Sequence, residues 1–193
     1  MANSRSRSGA PHSRPQLRII GGDWRGRKVQ FAPVAGLRPT GDRLRETLFN
    51  WLQFQLAGTR CLDLFAGSGA LGLEALSRGA QAVDFVELNR DAAMTLQRQL
   101  AALGAHNGQV HLCSAEQFLG QACGPYQLVF LDPPFAGALW QPMLAGVIPH
   151  LDAGAQVYVE TPRDTLLSLP DGFRIEREKH AGRVCMRLLR WRQ

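Results

Sequence analysis

The chain has 193 residues, 45% hydrophobic and 20% charged, which suits one α/β domain with a small appendage and is short for two full domains. No apolar run approaches the roughly 18 residues of a membrane span, and the N-terminus lacks the apolar core of a signal peptide, so a soluble, cytoplasmic protein is expected. The net charge is +6 and it is local: residues 1–30 hold Arg5, Arg7, Arg14, Arg18, Arg25, Arg27 and Lys28 against the single acid Asp23, while the rest of the chain balances.

Such an arm suits phosphate contacts. Residues 1–16 read as a disordered basic tail. Residues 17–37 read as a small basic hairpin, because Leu17-Arg18-Ile19-Ile20 and Lys28-Val29-Gln30-Phe31 look like short strands flanking Gly21-Gly22 and Gly26. Trp24, set among its arginines, either packs against the main domain or stacks on a base.

Residues 38–193 read as the main domain. Leu44, Leu48, Leu52 and Leu56 recur every four residues and predict one apolar stripe on a helix of about four turns, with Thr40 as N-cap and Asp42 in the first turn. Strand-like runs follow at Arg60-Phe65, Ala82-Glu87, Gln109-Cys113, Gln127-Asp132 and Ala155-Glu160, alternating with helical stretches near Ala70-Ser77, Arg90-Leu103, Ala115-Ala122 and Leu139-Ile148. This alternation predicts a doubly wound, mostly parallel sheet, closed by an antiparallel edge hairpin from Gly172-Glu178 and Arg183-Arg190. Ligands in such sheets bind beyond the carboxyl ends of the strands, where strand order reverses.

The first strand of that sheet runs into Asp63-Leu64-Phe65-Ala66-Gly67-Ser68-Gly69-Ala70-Leu71-Gly72. Glycine allows a tight turn and close approach of a ligand to the backbone, and the following helix offers free N–H groups. Glu87 ends the next strand, where a dinucleotide fold places its ribose-binding acid. Asp63 argues against a pyrophosphate, which it would repel, and for a ligand carrying an ammonium group. S-adenosylmethionine has that ammonium, a ribose diol for Glu87 and no phosphate.

The stretch Leu131-Asp132-Pro133-Pro134-Phe135 ends a central strand. Two prolines hold the backbone extended and cannot donate N–H groups. The Asp132 carboxylate and the Pro133 carbonyl can therefore accept both hydrogens of a nucleobase amine and favour the pyramidal geometry that frees its lone pair. Phe135 can stack on the base. Alone, this stretch reads equally as an ordinary turn; together with Asp63, the glycine loop and Glu87 at successive strand ends it reads as a methyl-transfer site.

The four cysteines form no CxxC pair, and no histidine stands near them at zinc-ligand spacing. Reduced core thiols, no metal and no disulfide are expected. The five histidines are scattered and none is assigned to catalysis.

The segments RIIGGDWRGRKV, GLRPTGDRLRETLFNWL, DLFAGSGALGLEALSRGA, FVELN and FLDPPF, in this order, resemble the RsmD family of bacterial 16S rRNA guanine-N2 methyltransferases across about residues 17 to 190. The glycine loop and DPPF are shared by many methyltransferases; the two N-terminal segments are more specific. The resemblance implies a class I methyltransferase with a Rossmann-like sheet, S-adenosylmethionine as cofactor, and the exocyclic amine of one guanine in small-subunit rRNA as target, in assembled or assembling subunits. It implies that Asp63, Gly67, Gly69 and Glu87 hold the cofactor, with Ser114 and Ala115 near its adenine and Arg38 and Thr40 near its methionine end. Many related enzymes carry Asp or Asn at the place of Ser114. Asp132, Pro133 and Phe135 would present the base, and Arg18, Trp24, Arg25, Arg27 and Lys28 would contact rRNA. A monomer is expected. An adenine-N6 methyltransferase, a dinucleotide-dependent oxidoreductase and a non-catalytic RNA-binding module are the rival readings.

Overall fold

The computed structural model describes residues 15–32, 41–121, 124–135 and 139–193. Arg38 and Thr40 lie outside them, as do Cys123 and most of the basic tail.

Strands β1 (Gln16–Arg18) and β2 (Lys28–Gln30) form the expected antiparallel hairpin, pairing Leu17 with Val29. Helix α1 (Asp42–Trp51) is shorter than its leucine stripe predicts. It is capped by Gly41 rather than Thr40, and it ends before Leu52 and Leu56, which are buried all the same. Spacing of four marks the buried side chains here, not the length of the helix.

The chain then alternates through β3 (Arg60–Asp63), α2 (Ala70–Ser77), β4 (Ala82–Glu87), α3 (Arg90–Leu103), β5 (Gly108–Leu112), α4 (Ala115–Leu119), β6 (Tyr126–Leu131), α5 (Trp140–Gly146) and β7 (Leu151–Pro162). Helix α4 stops three residues earlier than expected, with Gly120 at its C-cap. Strands β8 (Phe173–Ala181) and β9 (Val184–Trp191) close the sheet, whose order is β5-β4-β3-β6-β7-β9-β8. Strands β5, β4, β3, β6 and β7 are parallel, and β9 inserts antiparallel between β7 and β8. Strand order reverses at β3, so the switch point lies between β3 and β6.

Side chains alternate across each strand and build a core on both faces. On one face Cys61, Phe85, Phe130, Tyr158 and Met186 pack against α1, α2, α3 and the hairpin. On the other, Leu62, Val86, Leu131 and Val159 pack against α4 and α5.

Helix α2 is buried on every side, because the hairpin covers the surface that the sheet leaves open. Its Glu74 carboxylate accepts the backbone N–H groups of Ile20 (2.8 Å) and Gly21 (2.7 Å) and the Arg78 Nε–H (2.8 Å). Ser77 accepts the N–H of Asp23 on its carbonyl (2.7 Å) and that of Trp24 on its hydroxyl (2.9 Å). Arg45 of α1 is fully buried beside Glu74: its Nη2 donates to Arg18 O (2.9 Å) and Asp42 Oδ1 (2.6 Å), and its Nη1 stands 3.7 Å from Glu74 Oε2.

These contacts place the tip of the hairpin. Ser77 ends α2, and Ala102, whose carbonyl accepts from Arg27 (3.0 Å), lies at the end of α3. Both helices start at the carboxyl ends of the strands, so the tip sits at the opposite end of the sheet, about 12 to 21 Å down their axes.

Among the described cysteines Cys61 and Cys185 are buried and Cys113 is half-buried, all three as free thiols; burial pushes the Cys61 thiol up to about 12. Pairing of β8 with β9 brings Glu178, His180 and Cys185 within 4.8 Å of one another, a grouping that sequence spacing does not suggest. The Glu178 carboxylate there already pairs with Arg187 at 2.7 Å. No helix among the described residues is long and apolar enough to cross a membrane.

Candidate active site

Four acids stand at the carboxyl ends of four neighbouring strands: Glu87 on β4, Asp63 on β3, Asp132 just beyond β6 and Glu160 on β7. Asp63 is level with Phe85 and Phe130, and Phe130 with Tyr158. Glu87, Asp132 and Glu160 each lie two residues beyond one of those aromatic side chains, so alternation turns them to the face that carries Asp63. Asp63 therefore forms the floor of the row and the other three its upper edge.

The glycine loop is held from this edge. Gly67 N–H donates to Glu87 Oε2 (2.7 Å), and Asn89 N–H to Glu87 Oε1 (2.6 Å). Gly69, at φ 75°, is the N-cap of α2, a left-handed conformation that a side chain would strain. A Cβ at Gly72 would stand 2.1 Å from the Phe85 ring, so glycine there sets how closely α2 lies on the sheet.

Asp63 is 3% exposed, and its Oδ2 accepts the Gly72 N–H at 3.0 Å. Burial raises its pKa to about 7, Gly72 opposes that rise, and the Glu87 carboxylate adds to it. A buried acid in this state gains from a cation placed beside it. Each oxygen of Glu87 can accept further hydrogen bonds besides its backbone one, as a ribose diol requires. The donor set thus fits an ammonium and a diol, with backbone N–H groups rather than cationic side chains around the loop.

Ser114 is the N-cap of α4, directly beyond β5. Its hydroxyl accepts from Gln117 N–H (3.2 Å) and its own N–H donates to Gln117 Oε1 (3.1 Å). The hydroxyl can still donate outward, beside the buried Ala115.

At the other end of the row Asp132 is half-buried, Pro133 buried and Phe135 45% exposed. The Phe135 ring lies 6.0 Å from that of Trp140, whose Nε1–H donates to the Glu160 carbonyl at 2.7 Å. Tyr158 donates its hydroxyl to Glu160 Oε2 at 2.9 Å. Sequence reasoning missed Glu160, Tyr158 and Trp140; Glu160 stands at a strand end like the other acids, and that position was the available signal.

The structure thus brings Asp63, Gly67, Gly69, Glu87, Ser114, Asp132, Pro133 and Phe135 to one end of the sheet. It leaves Arg25 and Arg27 exposed at the far end, with Lys28 and Arg18 exposed on the two strands. Trp24 is half-buried and packs against the core.

Comparison with known proteins identifies the family. The family described as Conserved hypothetical protein 95 matches residues 17–190. Ribosomal RNA small subunit methyltransferase D of Escherichia coli (strain K12) is 46% identical over 176 residues, 90% of this chain and 89% of that protein. The chain belongs to the RsmD family. The protein of the same name from Haemophilus influenzae is 42% identical over 92% of the chain and 95% of its own length. The solved structure of Escherichia coli yhhF superposes with a TM-score of 0.84 at 45% identity, covering 92% of this chain and 99% of that one. The fold, though not the sequence, is shared with SMU.776 in complex with SAH, at a TM-score of 0.71 and 14% identity over 95% of this chain and 57% of that one. S-adenosylmethionine is the methyl donor of this RsmD-family chain, and the acids at the strand ends fit it.

Proposed function

We propose that this RsmD-family protein methylates the exocyclic N2 amine of one guanine in small-subunit rRNA, in the cytoplasm, on assembled or assembling subunits. The observation that carries the reading is the position of Asp132, at the strand end next to the Asp63 floor, followed by a buried proline and an exposed Phe135. Bound over Asp63 and Glu87, S-adenosylmethionine supplies an electrophilic methyl group on a positive sulfur.

The chain's own residues supply position and charge. Phe135 stacks on the base, and Asp132 with the Pro133 carbonyl accepts the two amine hydrogens. This holds the nitrogen lone pair toward the methyl group, so the displacement is driven by orientation and electrostatics. As the nitrogen–carbon bond forms, the methyl–sulfur bond would break with its electron pair left on sulfur, giving a neutral thioether, and the proton of the now cationic nitrogen passes to Asp132 and on to water. Neutral guanine is the attacking form, and prior deprotonation is not required.

Arg18, Arg25, Arg27 and Lys28 contact rRNA phosphates away from the target base, since the tip of the hairpin lies at the opposite end of the sheet from Asp132. Trp24 serves this surface by fixing the tip against the core rather than by stacking on a base. The protein acts as a monomer.

The test is transfer of a labelled methyl group to small subunits lacking the modification, comparing wild type with Asp132→Ala and identifying the nucleoside by mass spectrometry. N2-methylguanosine from wild type and none from the variant is the expected result. N6-methyladenosine would establish the adenine reading instead, and no transfer despite cofactor binding would overturn the substrate assignment.

A further inference from the structure

We propose that Glu160 is a specificity-determining residue that accepts the N1–H of the target guanine beside Asp132; this rests on the guanine-N2 reading above. Leu131 pairs with Val159, Asp132 and Glu160 are the residues that follow that rung on the two neighbouring segments, and both carboxylates act on the Tyr158 hydroxyl. Both turn to the face that carries Asp63. Glu160 is 6% exposed, and a carboxylate can accept several hydrogen bonds at once.

The surroundings fix that carboxylate. Tyr158 donates to Oε2 at 2.9 Å, and Trp140 holds the Glu160 carbonyl at 2.7 Å while its ring meets Phe135 at 6.0 Å. Burial, then the charge of Glu160 and then that of Asp132, keep the Tyr158 hydroxyl protonated well above its ordinary range, so it acts as a donor and lies within reach of both charges. The surface that stacks the base and the acid beside Asp132 are therefore one packed unit.

Guanine presents three hydrogens along one edge, two on N2 and one on N1, and two neighbouring carboxylates complement that edge. Adenine presents an amine beside an N1 that is itself an acceptor. Set against Glu160, that N1 would meet a second lone pair, and the acid would lose a hydrogen bond. Asp132 with its prolines would serve either amine. Glu160 supplies the discrimination that the DPPF stretch lacks.

The experiment uses small subunits assembled with 16S rRNA that carries guanosine, or 2-aminopurine riboside, at the target position. The analogue keeps the N2 amine and replaces N1–H by an acceptor. Wild type should form N2-methylguanosine and lose about tenfold to a hundredfold in kcat/KM on the analogue. In Glu160→Gln the amide can turn its NH2 toward N1, so guanosine should become the poorer substrate and the preference should collapse or invert. Equal wild-type rates on the two substrates would overturn the inference alone, whether or not the variant folds. A variant that keeps the wild-type preference would also overturn it, reducing Glu160 to a support for Tyr158. Absence of N2-methylguanosine from wild type on guanosine would instead remove the underlying reading.

Discussion

Glu87 accepts the N–H of Gly67 at 2.7 Å, so the acid proposed to hold a ribose also holds the glycine loop. Replacing Glu87 with alanine removes both functions at once. S-adenosylmethionine affinity, measured by calorimetry, should fall by about tenfold to a hundredfold or more, the weight of hydrogen bonds to a charged group. Glu87→Gln should lose less, because an amide oxygen can still accept from the loop.

Asp63 gives a pH signature. Its folded pKa of about 7 lies above the ordinary aspartate value of 3.8, so between those values the folded protein holds a proton that the unfolded chain has released. Stability without ligand should therefore decline as pH rises from about 4 toward about 7 and then level off. Cofactor binding runs the other way, since an ammonium favours the carboxylate: affinity should climb between about pH 6 and about pH 8, with a proton released on binding. Asp63→Asn should flatten both profiles. Calorimetry in buffers of different ionisation enthalpy reads the proton directly, and zero release would count against Asp63 facing the ammonium.

Glu74 tests the anchor of the hairpin. Glu74→Ala frees the N–H groups of Ile20 and Gly21 and leaves the buried Arg45 guanidinium with Asp42 but without its buried acidic neighbour. Loss of one partner in a buried charged cluster costs about 3–5 kcal/mol. Urea denaturation should show a loss of that size, with α2 and the hairpin losing amide protection first. A change below about 1 kcal/mol would mean that the cluster relaxes without it.

Arg25→Ala, Arg27→Ala and Lys28→Ala combined should weaken binding to small subunits and lower the slope of log affinity against log salt by up to about three, one for each phosphate no longer neutralised. Cofactor affinity should not move, because the tip lies at the far end of α2 and α3. An unchanged salt slope would remove the hairpin from the rRNA interface.

Sequence alone makes visible what the chain carries locally. The parallel sheet is legible because its strands are buried runs with helices between them, and Asp63, Glu87 and Asp132 are legible because each ends such a run, two of them beside glycine or proline. Glu74 is not: within Ala70–Ser77 it reads as one polar residue of a helix, and its partners Ile20 and Gly21 stand 54 and 53 residues away. Glu160 ends such a run too, but its tie to Trp140, twenty residues earlier in the chain, and its place on the strand beside β6 come only from the fold. The leucine stripe misleads in another way, since Leu52 and Leu56 keep a helical spacing in a segment that has already left the helix.

The hairpin's dependence on Glu74 and Ser77 also sets an order of events during synthesis. The RIIGGDW segment leaves the ribosome before α2 does, and the carboxylate and hydroxyl that receive its backbone come more than fifty residues later. Its basic side chains are thus exposed on the nascent chain before they have a fixed place. The hairpin cannot find its position before α2 does, and α2, once seated on the sheet, is the template that it waits for.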